Sequence, residues 1–124
     1  MRRRVRNVGR VTMRMLPGLV ILTFFIAGAA EAQDAAKIAE GQKVYAANKC
    51  GTCHSVAGKG NKKGPLDEVG SKLTEAEIRE WIVNPKEMTK KTGEKRKPVM
   101  KEHPKLKPEE VDALVAYMQS LKKS

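Results

Sequence analysis

The sequence is poor in aromatic residues. Only five of its 124 residues are aromatic: two phenylalanines, two tyrosines and one tryptophan. Phe24 and Phe25 lie in the N-terminal segment, which leaves Tyr45, Trp81 and Tyr117 for the rest of the chain. A small domain with so few large apolar side chains has a thin core, and such domains commonly need a metal, a disulfide or a cofactor for stability. We therefore expect a bound group to supply much of the core, and the chain to be largely unfolded without it.

Cysteine and histidine are also scarce, with two residues of each type. Three of these four residues lie in the pentapeptide Cys50-Gly51-Thr52-Cys53-His54, and the fourth is His103. A structural zinc site needs four ligands, so the composition argues against one. A dithiol redox site usually follows a strand, and no strand-like alternation of apolar and polar residues precedes Cys50. A local disulfide or dithiol site stays open as the alternative to a cofactor site.

The pentapeptide itself indicates a specific cofactor. Two thiols three positions apart, followed directly by an imidazole, have the spacing of covalent c-type haem attachment. The thiols of Cys50 and Cys53 would bond to the two vinyl groups of a haem, and His54 would bind the iron as its proximal ligand. The motif therefore predicts one covalently attached haem c, held at three points.

The N-terminal segment has the pattern of a secretory signal peptide. Six arginines precede a stretch without charge from Met15 to Ala30, and Ala30-Glu31-Ala32 fits the small-residue cleavage pattern. We predict a cleavable signal peptide over residues 1–32 and a single mature domain over residues 33–124. The uncharged stretch is short for a membrane span of about 20 residues, so an uncleaved anchor is the less favoured alternative. Haem attachment by this motif takes place outside the bacterial inner membrane, so both features predict a periplasmic protein.

The charge of the chain is strongly positive, at +11. Residues 1–32 hold six of the 25 basic residues and one of the 14 acidic ones, so the predicted mature domain carries +6. Nine basic and three acidic residues fall between positions 86 and 107, a local net charge of +6. Nucleic-acid binding fits this segment poorly, because no aromatic residues are interleaved with the lysines and the protein is predicted to be exported. No general base, nucleophile or substrate pocket is evident, so we predict neither an enzyme nor a small-molecule substrate.

Periodicity predicts three helices. The first begins at an N-cap, Asp34, and ends near residue 49; the last begins at Pro108. A shorter middle helix follows a capping box formed by Thr74 and Glu77, and Asn84-Pro85 ends it. Its predicted buried face comprises Ile78, Trp81 and Ile82. Residues 55–72 are a predicted loop because they hold four glycines and a proline. Residues 85–107 are a second predicted loop, because they hold three prolines and a glycine and have almost no apolar periodicity.

The two terminal helices are predicted to cross. Gly41 lies inside the first helix, where glycine costs about 1 kcal/mol relative to alanine, so we expect another element to approach closely there. The last helix is the candidate, with Tyr45 and Tyr117 near the contact. Its apolar stripe is made by Val111, Leu114, Val115, Met118 and Leu121.

Taken in order, these features resemble the small class I c-type cytochromes. The resemblance is carried by the Gly41/Tyr45 helix, the pentapeptide at 50–54, Gly64-Pro65-Leu66 and the closing helix over 111–118. It implies an all-α cytochrome c fold, with a haem whose edge is exposed in a cleft of three or more helices. It also implies single-electron transfer, so we expect a periplasmic electron-transfer protein. A haem-based ligand-binding or sensor module and a dedicated cytochrome subunit of one oxidoreductase are the alternatives.

The resemblance assigns two more residues to the site. The carbonyl of Pro65 is expected to accept a hydrogen bond from the second ring nitrogen of His54, which fixes the orientation and basicity of the ring. Met100, shortly before the last helix, is expected to be the sixth ligand of the iron. Met88 and His103 are the rival ligands.

The position of Met100 then suggests a docking surface. If Met100 binds the iron, the basic segment around it wraps one haem edge. We expect an acidic redox protein or a membrane oxidoreductase to dock there, near Lys95, Arg96, Lys97 and Lys101.

Overall fold

The computed structural model describes residues 27–123, with side chains from residue 31 onward. The elements in this range follow one another as α1 (Ala27–Ala47), a 3₁₀ turn (Cys50–Thr52), β1 (Ser55–Val56), β2 (Lys59–Gly60), α2 (Val69–Lys72), α3 (Glu75–Val83), α4 (Pro85–Thr92) and α5 (Pro108–Ser120). The two strands form one antiparallel hairpin in which Ser55 pairs with Gly60 and Val56 pairs with Lys59. Apart from this hairpin the regular structure is helical, so the predicted all-α class is confirmed.

The crossing of the terminal helices is confirmed. The contact between α1 and α5 is the largest between any two elements of the described chain. At its centre a Cβ atom on Gly41 would overlap the carbonyl oxygen of Ala113, which explains the glycine. The rings of Tyr45 and Tyr117 meet edge to face, with centroids 5.9 Å apart and an interplanar angle of 80°.

The predicted start of the first helix is wrong. Asp34 lies inside α1 and does not cap it, because the helix already begins at Ala27. Alanine has the highest helix propensity, and the alanines between residues 27 and 36 extend the helix toward the N-terminus. The predicted signal peptide lies outside the described residues up to position 26. No helix within residues 27–123 is both long and apolar enough to cross a membrane.

The predicted capping box of α3 and the predicted start of α5 at Pro108 are both confirmed. Thr74 accepts a hydrogen bond from the backbone N–H of Glu77, and the Glu77 carboxylate accepts the backbone N–H of Thr74 at 2.8 Å. The Glu77 carboxylate also accepts the hydroxyl of Thr74 at 2.8 Å, and its two bonds from Thr74 lower the pKa of Glu77 below its ordinary value. At α5, Pro108 fills the first turn and the backbone N–H of Lys107 donates to the Glu110 carboxylate at 2.8 Å.

The core is a thin layer between α1, α3 and α5. Its buried members are Val44, Ile78, Ile82, Val111, Leu114, Val115, Tyr117 and Met118. Leu121, predicted on the stripe of α5, lies just beyond the helix and packs against this core. The N–H of Gly70 donates to the carbonyl of Leu121 at 2.9 Å, which fastens α2 to the end of α5.

The two segments predicted as loops contain regular structure, so that prediction is wrong. Residues 55–72 include the hairpin and α2, and residues 85–107 include α4. The middle of the chain thus holds three short helices instead of the one predicted. In α4, Pro85 occupies the first turn and Gly93 closes the helix with a left-handed φ of 68°. These two residues are the ordinary start and stop of a helix, although each also occurs in turns.

Candidate functional site

A cavity of about 250 Å³ lies between α1, α3, α5 and the segment 94–106. Most of the side chains that line it are apolar, among them Leu66, Leu73, Ile78, Trp81, Leu106 and Leu114. Trp81, predicted to be part of the buried face of its helix, is half-buried and forms part of the cavity wall. The core is therefore thin because a cavity occupies the middle of the domain.

Four of the predicted site residues line this one cavity: Cys50, Cys53, His54 and Met100. The rival ligand His103 lines it as well. Met88, the other rival, is absent from the lining; its side chain is buried on α4. Pro65 is also outside the lining, and its side chain is exposed.

The three residues of the pentapeptide reach the same wall because the chain reverses sharply after α1. Lys49 adopts a left-handed backbone with φ 53°, and the 3₁₀ turn starts at the next residue. The N–H groups of Cys53 and His54 both bond to the carbonyl of Cys50, at 3.1 and 3.0 Å. This tight turn brings both thiols and the imidazole to the cavity.

The two cysteines differ in environment. Both are free thiols, with Cys50 half-buried and Cys53 exposed. Burial raises the pKa of Cys50, and the neighbouring Cys53 adds to the rise. Cys50 is therefore held as a neutral thiol inside the cavity, while Cys53 stands at its edge.

The ring of His54 is oriented by a backbone carbonyl, although not by the one predicted. Its Nδ1 lies 3.2 Å from the carbonyl oxygen of Gly64, whereas Pro65 was expected to be the partner. The same oxygen accepts the N–H of Ser55 at 3.0 Å, and the N–H of Leu66 donates to the Ser55 carbonyl at 2.9 Å. Pairing of Ser55 with this segment thus turns the carbonyl of Gly64 toward the imidazole.

The environment of His54 favours a neutral imidazole. Burial lowers its pKa, the carbonyl of Gly64 partly opposes the shift, and the positive charge of Arg96 adds to it. With Nδ1 bonded to Gly64, Nε2 is the nitrogen left to bind a metal. A neutral ring with a fixed Nδ1 partner is the usual state of a metal-binding histidine.

Four further hydrogen bonds, which the sequence does not indicate, fix the backbone of the pentapeptide. The hydroxyl of Tyr45 donates to the carbonyl of His54 at 3.3 Å, and burial raises the pKa of this tyrosine to about 12. The N–H of Asn61 is shared between the carbonyls of Gly51 and His54, both at 3.0 Å. The Asn61 amide also donates to the carbonyl of Thr52 at 3.1 Å.

Arg96 takes a role at the cavity that the sequence did not indicate. It was predicted as part of a docking surface, together with Lys95, Lys97 and Lys101. Those three lysines are exposed, but Arg96 is half-buried and its guanidinium donates to the carbonyl of Cys53. The guanidinium also lies against Gly64, in the space that a side chain there would occupy.

The donor set fits a haem better than a bare metal ion. The described residues contain no group of three or more His, Cys, Asp and Glu that could hold an ion by themselves. The cavity instead offers an imidazole from His54 and a thioether from Met100, with two thiols beside the imidazole. The iron of a haem brings its own planar ring of ligands, so it needs few donors from the protein, and an apolar cavity suits that ring. Free thiols suit covalent attachment of the ring.

The comparison with protein families agrees with this geometry. The sequence model of the family described as Cytochrome c matches residues 38–122. The match runs from α1 to just beyond α5 and includes every residue named above as lining the cavity. Comparisons with curated proteins and with solved structures gave no match.

Proposed function

Because this chain belongs to the cytochrome c family, we propose that it is a periplasmic carrier that accepts one electron from a redox partner and passes it to another. The family supports haem-based electron transfer and a covalently attached haem c. When bound, the haem supplies the one-electron chemistry of its iron. The protein supplies attachment, axial ligands, shielding from water and a surface for partners.

Cys50, Cys53 and His54 are the residues we propose to hold the haem. The thiols would form the two thioether bonds, and Nε2 of His54 would bind the iron. The carbonyl of Gly64 holds the ring of His54 in place through Nδ1. In this arrangement Gly64 has the orienting role that was expected of Pro65.

Met100 is the residue we propose as the sixth ligand. The observation that carries the proposal is that one apolar cavity is lined both by the pentapeptide and by Met100. A neutral thioether favours reduced iron and so raises the reduction potential. Met88 does not line the cavity, which leaves His103 as the competing ligand.

The test is the visible and near-infrared spectrum of the haem-loaded protein. We expect sharp low-spin bands after reduction and the weak sulfur-to-iron band after oxidation. Met100→Ala should abolish the sulfur band, whereas His103→Ala and the control Met88→Leu should keep it. Retention of the band in Met100→Ala would refute the ligand assignment.

Carbon monoxide distinguishes a carrier from a ligand-binding or sensing module. A closed sixth site should leave the spectrum of the reduced protein unchanged under carbon monoxide at neutral pH. Binding of the gas would favour a sensor. Stable co-purification with one enzyme would instead favour a dedicated subunit of that enzyme.

We further propose that the partner docks through negative charge on its own surface. Lys95, Lys97 and Lys101 are exposed on the segment that also supplies Met100. A positive field at the haem edge speeds encounter with an acidic partner at low salt.

The rate of electron exchange with small reagents tests this surface. Anionic hexacyanoferrate should react faster at low than at high ionic strength, and cationic tris(phenanthroline)cobalt should show the opposite trend. Lys95→Glu with Lys101→Glu should slow the anionic reagent at low salt on the order of tenfold. The matched control, Lys37→Glu with Lys43→Glu on α1, should change the rate far less.

Export is the last part of the proposal. Periplasmic protein should begin at Gln33, if cleavage follows Ala30-Glu31-Ala32. Cell fractionation followed by intact-mass measurement tests this. A membrane-bound product that keeps residues 1–32 would favour an uncleaved anchor.

A further inference from the structure

Arg96 connects the two sides of the cavity. It lies on the segment 94–106, four residues before Met100, and its guanidinium donates to the carbonyl of Cys53. The same guanidinium covers Gly64, the residue whose carbonyl holds His54. The side chain of Arg96 therefore contacts the backbone next to His54, the proposed proximal ligand. Arg96 itself belongs to the segment that carries Met100, the proposed sixth ligand.

The segment that bears Met100 has few other attachments. It lies between α4, which ends at Thr92, and α5, which begins at Pro108. Lys86 and Glu102 form an ion pair at 3.3 Å, but both side chains are largely exposed, and exposed pairs contribute little to stability. Over residues 31–123, the bond from Arg96 to Cys53 is the side-chain hydrogen bond that ties this segment to the pentapeptide.

We propose that Arg96 is a positioning residue that holds the Met100 segment closed across the cavity. The proposal rests on the proposed function, because it takes Met100 as the sixth ligand. A hydrogen bond from a charged donor contributes more than a neutral one, and the planar guanidinium loses little freedom when it forms such a bond. Without this hydrogen bond, the segment would open more often, and Met100 would leave the iron more readily.

The proposal also accounts for glycine at position 64. Any larger side chain would occupy the space of the Arg96 guanidinium. The φ of Gly64 is not in the left-handed region, so alanine fits the backbone there. Gly64→Ala therefore displaces Arg96 without removing its charge.

Binding of imidazole to the oxidised, haem-loaded protein measures the opening, because imidazole must displace the sixth ligand. Loss of a bond from a charged donor should make imidazole bind about tenfold more tightly in Arg96→Ala, since tenfold corresponds to about 1.4 kcal/mol. Arg96→Lys should restore part of the difference. The control Lys105→Ala removes an exposed charge from the same segment and should bind imidazole as the parent does.

A second variant separates positioning from charge. Gly64→Ala should also tighten imidazole binding, and it should add little in a protein that already carries Arg96→Ala. Neither variant should lower the free energy of global unfolding by more than about 1.4 kcal/mol, the equivalent of the tenfold change in imidazole binding, so both proteins should stay folded. Independent, additive effects of the two changes would overturn the proposal.

The outcomes also separate this proposal from the ligand assignment. If Met100→Ala abolishes the sulfur band but Arg96→Ala binds imidazole within twofold of the parent, Met100 is the ligand and the role of Arg96 is wrong. If Arg96→Ala changes only the rate with hexacyanoferrate, Arg96 is a docking charge. If Met100→Ala keeps the band, the assignment of Met100 fails, whatever the result at Arg96.

Discussion

Gly41 in α1 lies against the carbonyl oxygen of Ala113 in α5, at a distance that leaves no room for a Cβ atom. The Cβ of Tyr117 lies near the same point, 2.6 Å from where a Cβ on Gly41 would stand. Both obstacles belong to the framework of α5, so a small change of rotamer cannot relieve the overlap. The two helices can cross this closely only with glycine at position 41.

Gly41→Ala should therefore destabilise the protein, although alanine is the better helix former. The gain in helix propensity is about 1 kcal/mol. Forcing the helices apart against a backbone atom should cost about 3 kcal/mol, the upper end of the usual range for overpacking, for a net loss of about 2 kcal/mol. Denaturant unfolding of the haem-loaded protein measures it. The control Gln42→Ala, at the exposed neighbouring position, should fall within about 0.5 kcal/mol of the parent. An unchanged midpoint for Gly41→Ala would show that the helices can separate freely.

This crossing could be predicted from the sequence because two signals agreed. Gly41 lowers the helix propensity of α1, so its presence indicates a close contact. The apolar stripe on α5 was a surface that could make that contact. The capping box at Thr74 and Glu77 was predictable for a similar reason, since its bonds join residues only three positions apart. Local signals of this kind do not depend on the rest of the fold.

Contacts between distant segments could not be predicted in the same way. The contact between Arg96 and Cys53 spans 43 positions, and nothing in the local sequence distinguishes Arg96 from the lysines beside it. The choice of Gly64 over Pro65 depends on which carbonyl faces the ring of His54 once the segment has paired with Ser55. The order of motifs along the sequence indicates which segments meet, but it does not indicate which atoms form the contact.

The helix α4 was missed for a different reason. Its single large apolar side chain is Met88, so it has no stripe that periodicity could detect. The hydroxyls of Thr89 and Thr92 bond to the carbonyls four residues earlier, both at 2.8 Å. The helix is stabilised by Pro85 in its first turn, by Gly93 at its C-terminal end, and by the burial of Pro85 and Met88.

Tyr45→Phe should change how stability depends on alkaline pH. The pKa of Tyr45 in the folded protein is about 12, above its ordinary value of 10.0, because burial disfavours the phenolate. The folded state therefore holds this proton more tightly than the unfolded state does. The resulting stability is fully present below pH 10.0 and is lost as the pH rises toward about 12.

The difference in unfolding free energy between the parent and Tyr45→Phe should thus shrink as the pH rises from 10.0 to about 12. At neutral pH the variant should be less stable by about 0.5–1.5 kcal/mol, since it lacks the bond to the carbonyl of His54. Tyr117 is present in both proteins, so its own titration cancels in the comparison. A difference that stays constant with pH would contradict the prediction.

Asp112→Asn should reduce the sensitivity of the fold to acid. The guanidinium of Arg79 bonds to Asp112 and lowers the pKa of this carboxyl below its ordinary value of 3.8. The folded state then binds the proton less tightly than the unfolded state. The contribution is present above pH 3.8 and is lost as the pH falls through the lower folded value.

Thermal unfolding at a series of pH values above and below 3.8 measures this contribution. The advantage of the parent over Asp112→Asn should be constant above pH 3.8 and should decline as the pH falls below it. The control Asp34→Asn changes an exposed carboxylate on α1 and should follow the parent. If both variants respond alike, the ion pair of Arg79 and Asp112 has no specific part in acid stability.

Removal of the haem should unfold much of the domain. Leu66, Leu73 and Trp81 line the cavity and would bury apolar surface against a bound haem, and the remaining core is thin. A protein with Cys50→Ser and Cys53→Ser, made without haem-maturation machinery, should show weak near-ultraviolet circular dichroism and no cooperative thermal transition. The haem-loaded parent is the control. A cooperative transition within a few degrees of that control would show that α1, α3 and α5 pack stably around an empty cavity. The haem would then bind to a fold that forms without it.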